Sequence, residues 1–117
     1  MAKFQKIKRV KKPWGCEIWY AQSPHYLGKI IVIEKGKRLS LQYHKKKHET
    51  AYALRGRWVL RLGNKRHVMT PGRAMAIPPG TVHRFESPFG RATLLEVSTP
   101  QADDVVRLQD DYGRRGK

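Results

Sequence analysis

The stretch LQYHKKKHET, residues 41–50, sets a glutamine, two histidines and a glutamate around a run of three lysines. Three readings of it are open: a nucleic-acid patch with incidental histidines, a solvated loop, or a metal site with lysines in its spacer. Gln42 and His44 are two apart, so on an extended strand their side chains leave the same face. Glu49 follows after a short spacer, and an antiparallel return can bring it back beside them. A fourth candidate, His83, lies far along the chain, just after the Pro78-Pro79-Gly80 turn. Imidazole nitrogen with amide and carboxylate oxygen suits a divalent ion of intermediate hardness, zinc or manganese, with one or two positions left for water or substrate.

Around this set lie residues for substrate and proton. Arg38 shares the parity of Gln42 and His44, and a guanidinium projecting inward there would grip a phosphate or a sugar hydroxyl. It is the first candidate for a catalytic and substrate-binding role, against a salt bridge to an inward carboxylate such as Glu96. His48 is a second catalytic candidate, although as the neighbour of Glu49 on an extended segment it faces the opposite way. Lys46, in the middle of Lys45–Lys47, is the other substrate-binding candidate, on a solvated bend whose charge steers anions. Arg84 follows His83, so parity turns it away from the cage. Trp14, Trp19 and Trp58 read as core or subunit contacts rather than sugar-stacking platforms.

The elements that must hold these residues are short strands. Apolar and polar residues alternate with period two, and Gly or Pro punctuation recurs about every ten residues. Strands are expected over 17–21, 29–34, 38–44, 50–54, 57–62, 66–69, 73–77, 82–86 and 92–98, with turns at Gly36, Gly56, Gly63, Gly72 and Gly80. Only 101–112 could form a helical turn or two. About nine strands with almost no helix make an all-β sandwich or small barrel. On the strand 38–44, Leu39, Leu41 and Tyr43 form an apolar face that a second sheet or a twin subunit would cover, so a homodimer is expected.

Composition bounds the rest. A chain of 117 residues has room for one domain. The expected layout is a flexible basic arm over 1–11, the domain over 12–114 and a basic tail over 115–117. At 39% hydrophobic residues the chain folds; at +16 net charge it attracts anions. Specific nucleic-acid binding is not favoured, because no zinc-finger, helix-turn-helix or ribonucleoprotein signature accompanies the charge. The single Cys16 makes no intrachain disulfide, and no stretch reaches the ~20 apolar residues of a membrane span, so a soluble cytoplasmic protein is expected.

The spacing of glycines around the cluster adds a resemblance. From Gly36 the chain reads G-x5-Q-x-H-x4-E-x6-G, and from Gly72 it reads G-x5-P-x-G-x2-H-x3-S. These resemble the paired motifs of the cupin family, a small antiparallel β-barrel or jelly roll. Gln42 stands where the commonest pattern has histidine, and Ser87 where it has asparagine. KPWG (12–15), GKRLSLQYH (36–44), IPPGTVHR (77–84) and DDVVRLQDDYGR (103–114) narrow the resemblance to the C-terminal cupin domain of type II mannose-6-phosphate isomerases.

That resemblance implies a metal bound by Gln42, His44, Glu49 and His83. It also implies aldose-ketose isomerisation between mannose 6-phosphate and fructose 6-phosphate. Such a reaction removes a proton beside a carbonyl and returns it one carbon away, through an enediolate. The nucleotidyltransferase domain that precedes the cupin in those enzymes has no room in this chain, so only the isomerase half is expected. The alternative is a non-catalytic cupin that binds a sugar or another small anion.

Overall fold

The computed structural model describes residues 1–114; the tail expected at 115–117 lies outside the described residues. Eleven strands follow one another: β1 (Lys8–Lys12), β2 (Gly15–Gln22), β3 (Leu27–Ile33), β4 (Leu41–Tyr43), β5 (Glu49–Arg55), β6 (Trp58–Leu62), β7 (Lys65–Met69), β8 (Ala74–Ile77), β9 (His83–Glu86), β10 (Ala92–Ser98) and β11 (Val106–Gln109). Two antiparallel sheets result, one in the order β1-β2-β3-β10-β5-β8 and the other β11-β4-β9-β6-β7. The described residues contain no helix, and so none that is long and apolar enough to cross a membrane.

The period-two alternation decides what lies between the sheets. Ile31 and Ile33 of β3, Ala51 and Ala53 of β5, Leu94 of β10, Trp58 and Leu60 of β6 and Phe85 of β9 are buried there with Trp14 and Met69. Each large side chain of this kind contributes roughly 1.5–3 kcal/mol on leaving water. Trp58 and Phe85 meet edge to face, with ring centroids 5.2 Å apart. The opposite parity of the larger sheet forms an outer face on which Ile18, Ile30, Leu95, Tyr52 and Ala74 stand in register across β2, β3, β10, β5 and β8.

Three expectations are corrected. The arm expected to be flexible through Lys11 is a strand from Lys8 onward, because β2 leaves an edge with which Lys8–Lys12 pairs in full register. The segment 101–112 is not helical: β11 pairs with β4, since Val106, Arg107 and Leu108 extend along an edge that needs hydrogen-bond partners. The strand 38–44 is regular only over Leu41–Tyr43, with Arg38 in an isolated bridge to Glu86. Between them Leu39 and Ser40 are both buried, so strict alternation fails there. Leu39 joins the core rather than an outer face, its N–H donating to Phe85 O at 2.9 Å.

Arg84 ties this irregular segment down. Its buried guanidinium donates from Nε to Leu39 O at 2.8 Å and from Nη2 to Gln109 O at 3.3 Å, joining β9, the approach to β4 and the end of β11. Gly56 closes the β5-β6 turn with φ of 72°, and a Cβ built there would lie 2.5 Å from Arg91 O. Gly36 has a similar φ of 78° with nothing within 4 Å. Gly36→Ala therefore meets only the left-handed backbone penalty, about 1–2 kcal/mol. Gly56→Ala must also displace the Arg91 backbone, and urea unfolding is expected to show the larger loss of stability at Gly56.

Candidate metal centre

Sheet register assembles the cluster. Gln42 of β4 is paired with His83 of β9, while Glu49, the first residue of β5, lies across from both Ser98 and Ile77. His44, just past β4, and His83 each place Nε2 3.0 Å from Glu49 Oε1, with all three residues buried. The two rings are 5.2 Å apart at an interplanar angle of 52°. The donor atoms of these residues lie within 4.8 Å of one another, the spacing of ligands around one ion.

The hydrogen bonds behind the rings determine what faces the centre. His83 Nδ1 lies 2.9 Å from Thr81 O, and His44 Nδ1 contacts Asp104 O. A carbonyl only accepts, so both Nδ1 atoms carry their proton; a neutral ring would then turn an Nε2 lone pair toward the Glu49 carboxylate, and a protonated ring an N–H. His83 Nε2 is buried with no hydrogen-bond partner among the described residues. Lone pairs converging on an anionic oxygen are repulsive unless a cation lies among them. Histidine ligands oriented by backbone carbonyls are the usual arrangement around a metal, so these residues fit a divalent ion. Gln42 contributes an amide in the same cavity, its Oε1 accepting from Ser40 Oγ at 2.6 Å with a lone pair to spare.

Charge extends beyond the cage. Burial favours the neutral form of Glu49, but His44, His83 and Lys47 outweigh it and hold the carboxyl well below its usual range. Lys47 is buried, its Nζ 3.7 Å from Glu49 Oε2 and 3.6 Å from Glu96 Oε1. Burial, together with the Glu49 charge, raises Glu96 well above the ordinary carboxylate value. Gln42, His44, Lys47 and Glu96 share a cavity of about 440 Å³ with Trp19, Lys12, Lys29, Arg107 and Arg114.

The residues expected around the cage are placed differently. Arg38 does not project inward: its guanidinium donates to both oxygens of Asp111, at 2.7 and 2.9 Å, and lies 3.9 Å from Glu86. Its backbone sits outside regular β4, so parity with Gln42 does not hold. His48 is exposed and faces a shallow hollow beside Val97 and Thr99, as extended-strand parity requires. Lys45 and Lys46 are exposed as expected, but Lys47 is not part of a solvated bend. It turns inward because two buried carboxylates await it. Trp14 and Trp58 are core residues, whereas Trp19 lines the cavity, its Nε1 donating to Glu17 at 2.9 Å.

Asp104 is a residue that strand parity gave no reason to select. Its carboxylate accepts the backbone N–H groups of Lys45, Lys46 and Lys47 at 3.0, 2.7 and 2.8 Å. Although burial opposes ionisation, those donors hold its carboxyl below the usual range. The same residue's carbonyl fixes His44. The available signal was scarcity: nine acidic residues serve the whole chain, and Asp103-Asp104 is one of its two aspartate pairs.

Comparison with known proteins agrees with this fold. The Cupin domain family matches residues 29–98. Mannose-1-phosphate guanylyltransferase from Klebsiella pneumoniae is 29% identical over 97% of this chain and 25% of its own length. The alginate biosynthesis protein AlgA from Pseudomonas aeruginosa is 32% identical over 90% of this chain and 23% of its own. The chain thus spans about a quarter of the length of these relatives. In fold it is similar to a sugar phosphate isomerase from a cupin superfamily from Silicibacter pomeroyi, with a TM-score of 0.70 at 23% identity over 84% of this chain and 75% of that one. It is similar as well to KdgF from Halomonas sp., with a TM-score of 0.74 at 17% identity over 85% and 91%.

Zinc or manganese titrated into metal-free protein is expected to saturate one site. His83→Ala should abolish that binding, and Asp104→Ala, which frees the His44 bend, should weaken it about tenfold or more. Elemental analysis and calorimetry check both; equal metal content in the wild type and His83→Ala would remove the site.

Proposed function

This chain belongs to the cupin family, and from that premise we propose that it is a metal-dependent sugar-phosphate isomerase, interconverting an aldose and a ketose such as mannose 6-phosphate and fructose 6-phosphate. The observation that carries the reading is the buried Lys47–Glu96 pair, 3.6 Å apart in the cavity that also holds Gln42 and His44. The cage alone supports binding; isomerisation also needs a proton carrier beside it.

Bound at Gln42, His44, Glu49 and His83, zinc or manganese would supply Lewis-acid polarisation of the substrate carbonyl. Glu96 is the group we assign to take the proton from carbon and return it to the adjacent carbon. Lys47, held between Glu49 and Glu96, is assigned to donate to the oxygen that gains charge. Burial of both groups keeps bulk water from competing for that proton. Arg38, committed to Asp111, and exposed His48 are not given these roles.

The coarser alternative, a cupin that binds a sugar phosphate without converting it, shares the cage and the cavity. Assay of both sugar phosphates with metal restored separates the two. Turnover is expected in the wild type, and Lys47→Met or Glu96→Gln should lower kcat about 100-fold or more while metal content is retained. Saturable binding without conversion by the wild type would leave the binding protein.

The homodimer expected on the Leu39, Leu41 and Tyr43 face loses Leu39 to the core, and it is assigned instead to the outer face of the larger sheet, where the row from Ile18 to Ala74 is free of charge in a chain of net +16. Two copies meet there without opposing cations. Tyr52 and Val97, 39% and 51% exposed, lie on that face. Sedimentation is expected to give a dimer that Tyr52→Lys with Val97→Lys splits; a monomeric wild type would exclude it.

A further inference from the structure

One wall of the cavity comes from the C-terminal segment, and its chemistry is not used by the cage. Arg107 of β11 stands directly across from Gln42 of β4 in the sheet register. Side chains of directly opposed residues leave the same face about 5 Å apart, so Arg107 enters the cavity beside a cage residue. Its Nε is buried and has no hydrogen-bond partner among the described residues. Lys12, at the end of β1, and Arg114 line the same cavity.

These cations are poorly balanced. Arg114 is anchored by Asp110, with Nε and Nη2 at 2.9 and 3.0 Å, and Lys29 pairs with Glu17 at 3.4 Å. Neither Lys12 nor Arg107 has a carboxylate within 4.0 Å among the described residues. Burial first, and then the nearby Arg114, Lys29 and Arg107 charges, hold the Lys12 ammonium below its ordinary value against the pull of Glu17. Burial and Arg114 lower Arg107 likewise. Crowding like charges in a half-buried wall costs stability, and an anion would relieve it while satisfying the orphaned Arg107 donor.

We infer that Lys12, Arg107 and Arg114 form an anion subsite that seats the phosphoryl group of the substrate, with its sugar reaching across Gln42 to the cage. The guanidinium of Arg107 supplies a planar fork suited to phosphoryl oxygens, and Lys12 adds a point charge. The subsite replaces Arg38 and Lys46 as the phosphate-binding group, and its assignment to a substrate rests on the isomerase reading.

Inorganic phosphate tests the subsite without any sugar. Titration at ~0.15 M salt, where surface charges are screened, is expected to saturate in the wild type. Arg107→Met and Lys12→Met should each weaken phosphate about tenfold or more. Lys45→Ala with Lys46→Ala should leave it unchanged, and thermal unfolding checks that every variant is folded. Unchanged affinity in both folded Arg107→Met and Lys12→Met, or equal loss in the surface variant, would overturn the subsite. Turnover of unphosphorylated mannose as efficient as that of mannose 6-phosphate would also overturn it while leaving isomerase chemistry standing. Intact, Arg107-dependent phosphate binding without turnover would instead remove the isomerase reading and keep the subsite.

Discussion

Glu49 Oε1 sits 3.0 Å from two imidazole nitrogens, His44 Nε2 and His83 Nε2. The other nitrogen of each ring is committed to a backbone carbonyl. With both Nδ1 protons fixed, neutral rings would have only lone pairs to turn toward the carboxylate, a repulsion that water cannot screen at this burial. A cation at the centre removes the conflict. The arrangement fits an ion: the carbonyls of Thr81 and Asp104 fix the Nδ1 protons, and the strand register of β4 and β9 sets the ring separation.

The interior is divided by this requirement. Toward β6, β7 and the turn at Gly56 it is closed by apolar side chains. Toward β1, β2 and β11 the same inward parity carries Glu17, Lys29, Glu96 and, through the loop after β4, Lys47. Buried charges of this kind are costly unless paired. The pairs Lys29–Glu17 and Lys47–Glu49–Glu96 offset the cost within the wall of the cavity. Asp104 acts from the other side, drawing three successive N–H groups of the lysine bend onto one carboxylate. A run of lysines that would otherwise repel itself is thereby held in one conformation, with the third side chain turned inward and the first two left outside.

The strand pattern was legible because alternation and glycine punctuation are local signals. Trp58 and Leu60 are buried and Arg61 exposed, as parity requires. His44, Glu49 and His83 were legible as a set because their residue types and spacing are rare in combination, and the structure brings them together. Arg38 was misplaced because parity was carried through a stretch where the ladder is broken and both Leu39 and Ser40 are buried. Lys47 was misread because its neighbours are solvated; nothing local distinguishes the third lysine from the first two. The edge strands β1 and β11 were missed because polar edge strands bury too little to leave an alternating apolar pattern.

What the amino-acid sequence determined alone is therefore the all-β class, most strand positions, the turns that require glycine and the residue types of the cage. These follow from properties each residue carries within a few neighbours: side-chain parity, backbone freedom and donor chemistry. Tertiary structure alone decided which charges are buried, because that depends on what the opposite sheet presents. Lys47 meets Glu96 of β10, Asp104 reaches back to the bend after β4, and Arg107 comes to lie across from Gln42. Each of these contacts joins residues about fifty or more positions apart. Their cost or gain is set by desolvation at the meeting point, a quantity no local window contains.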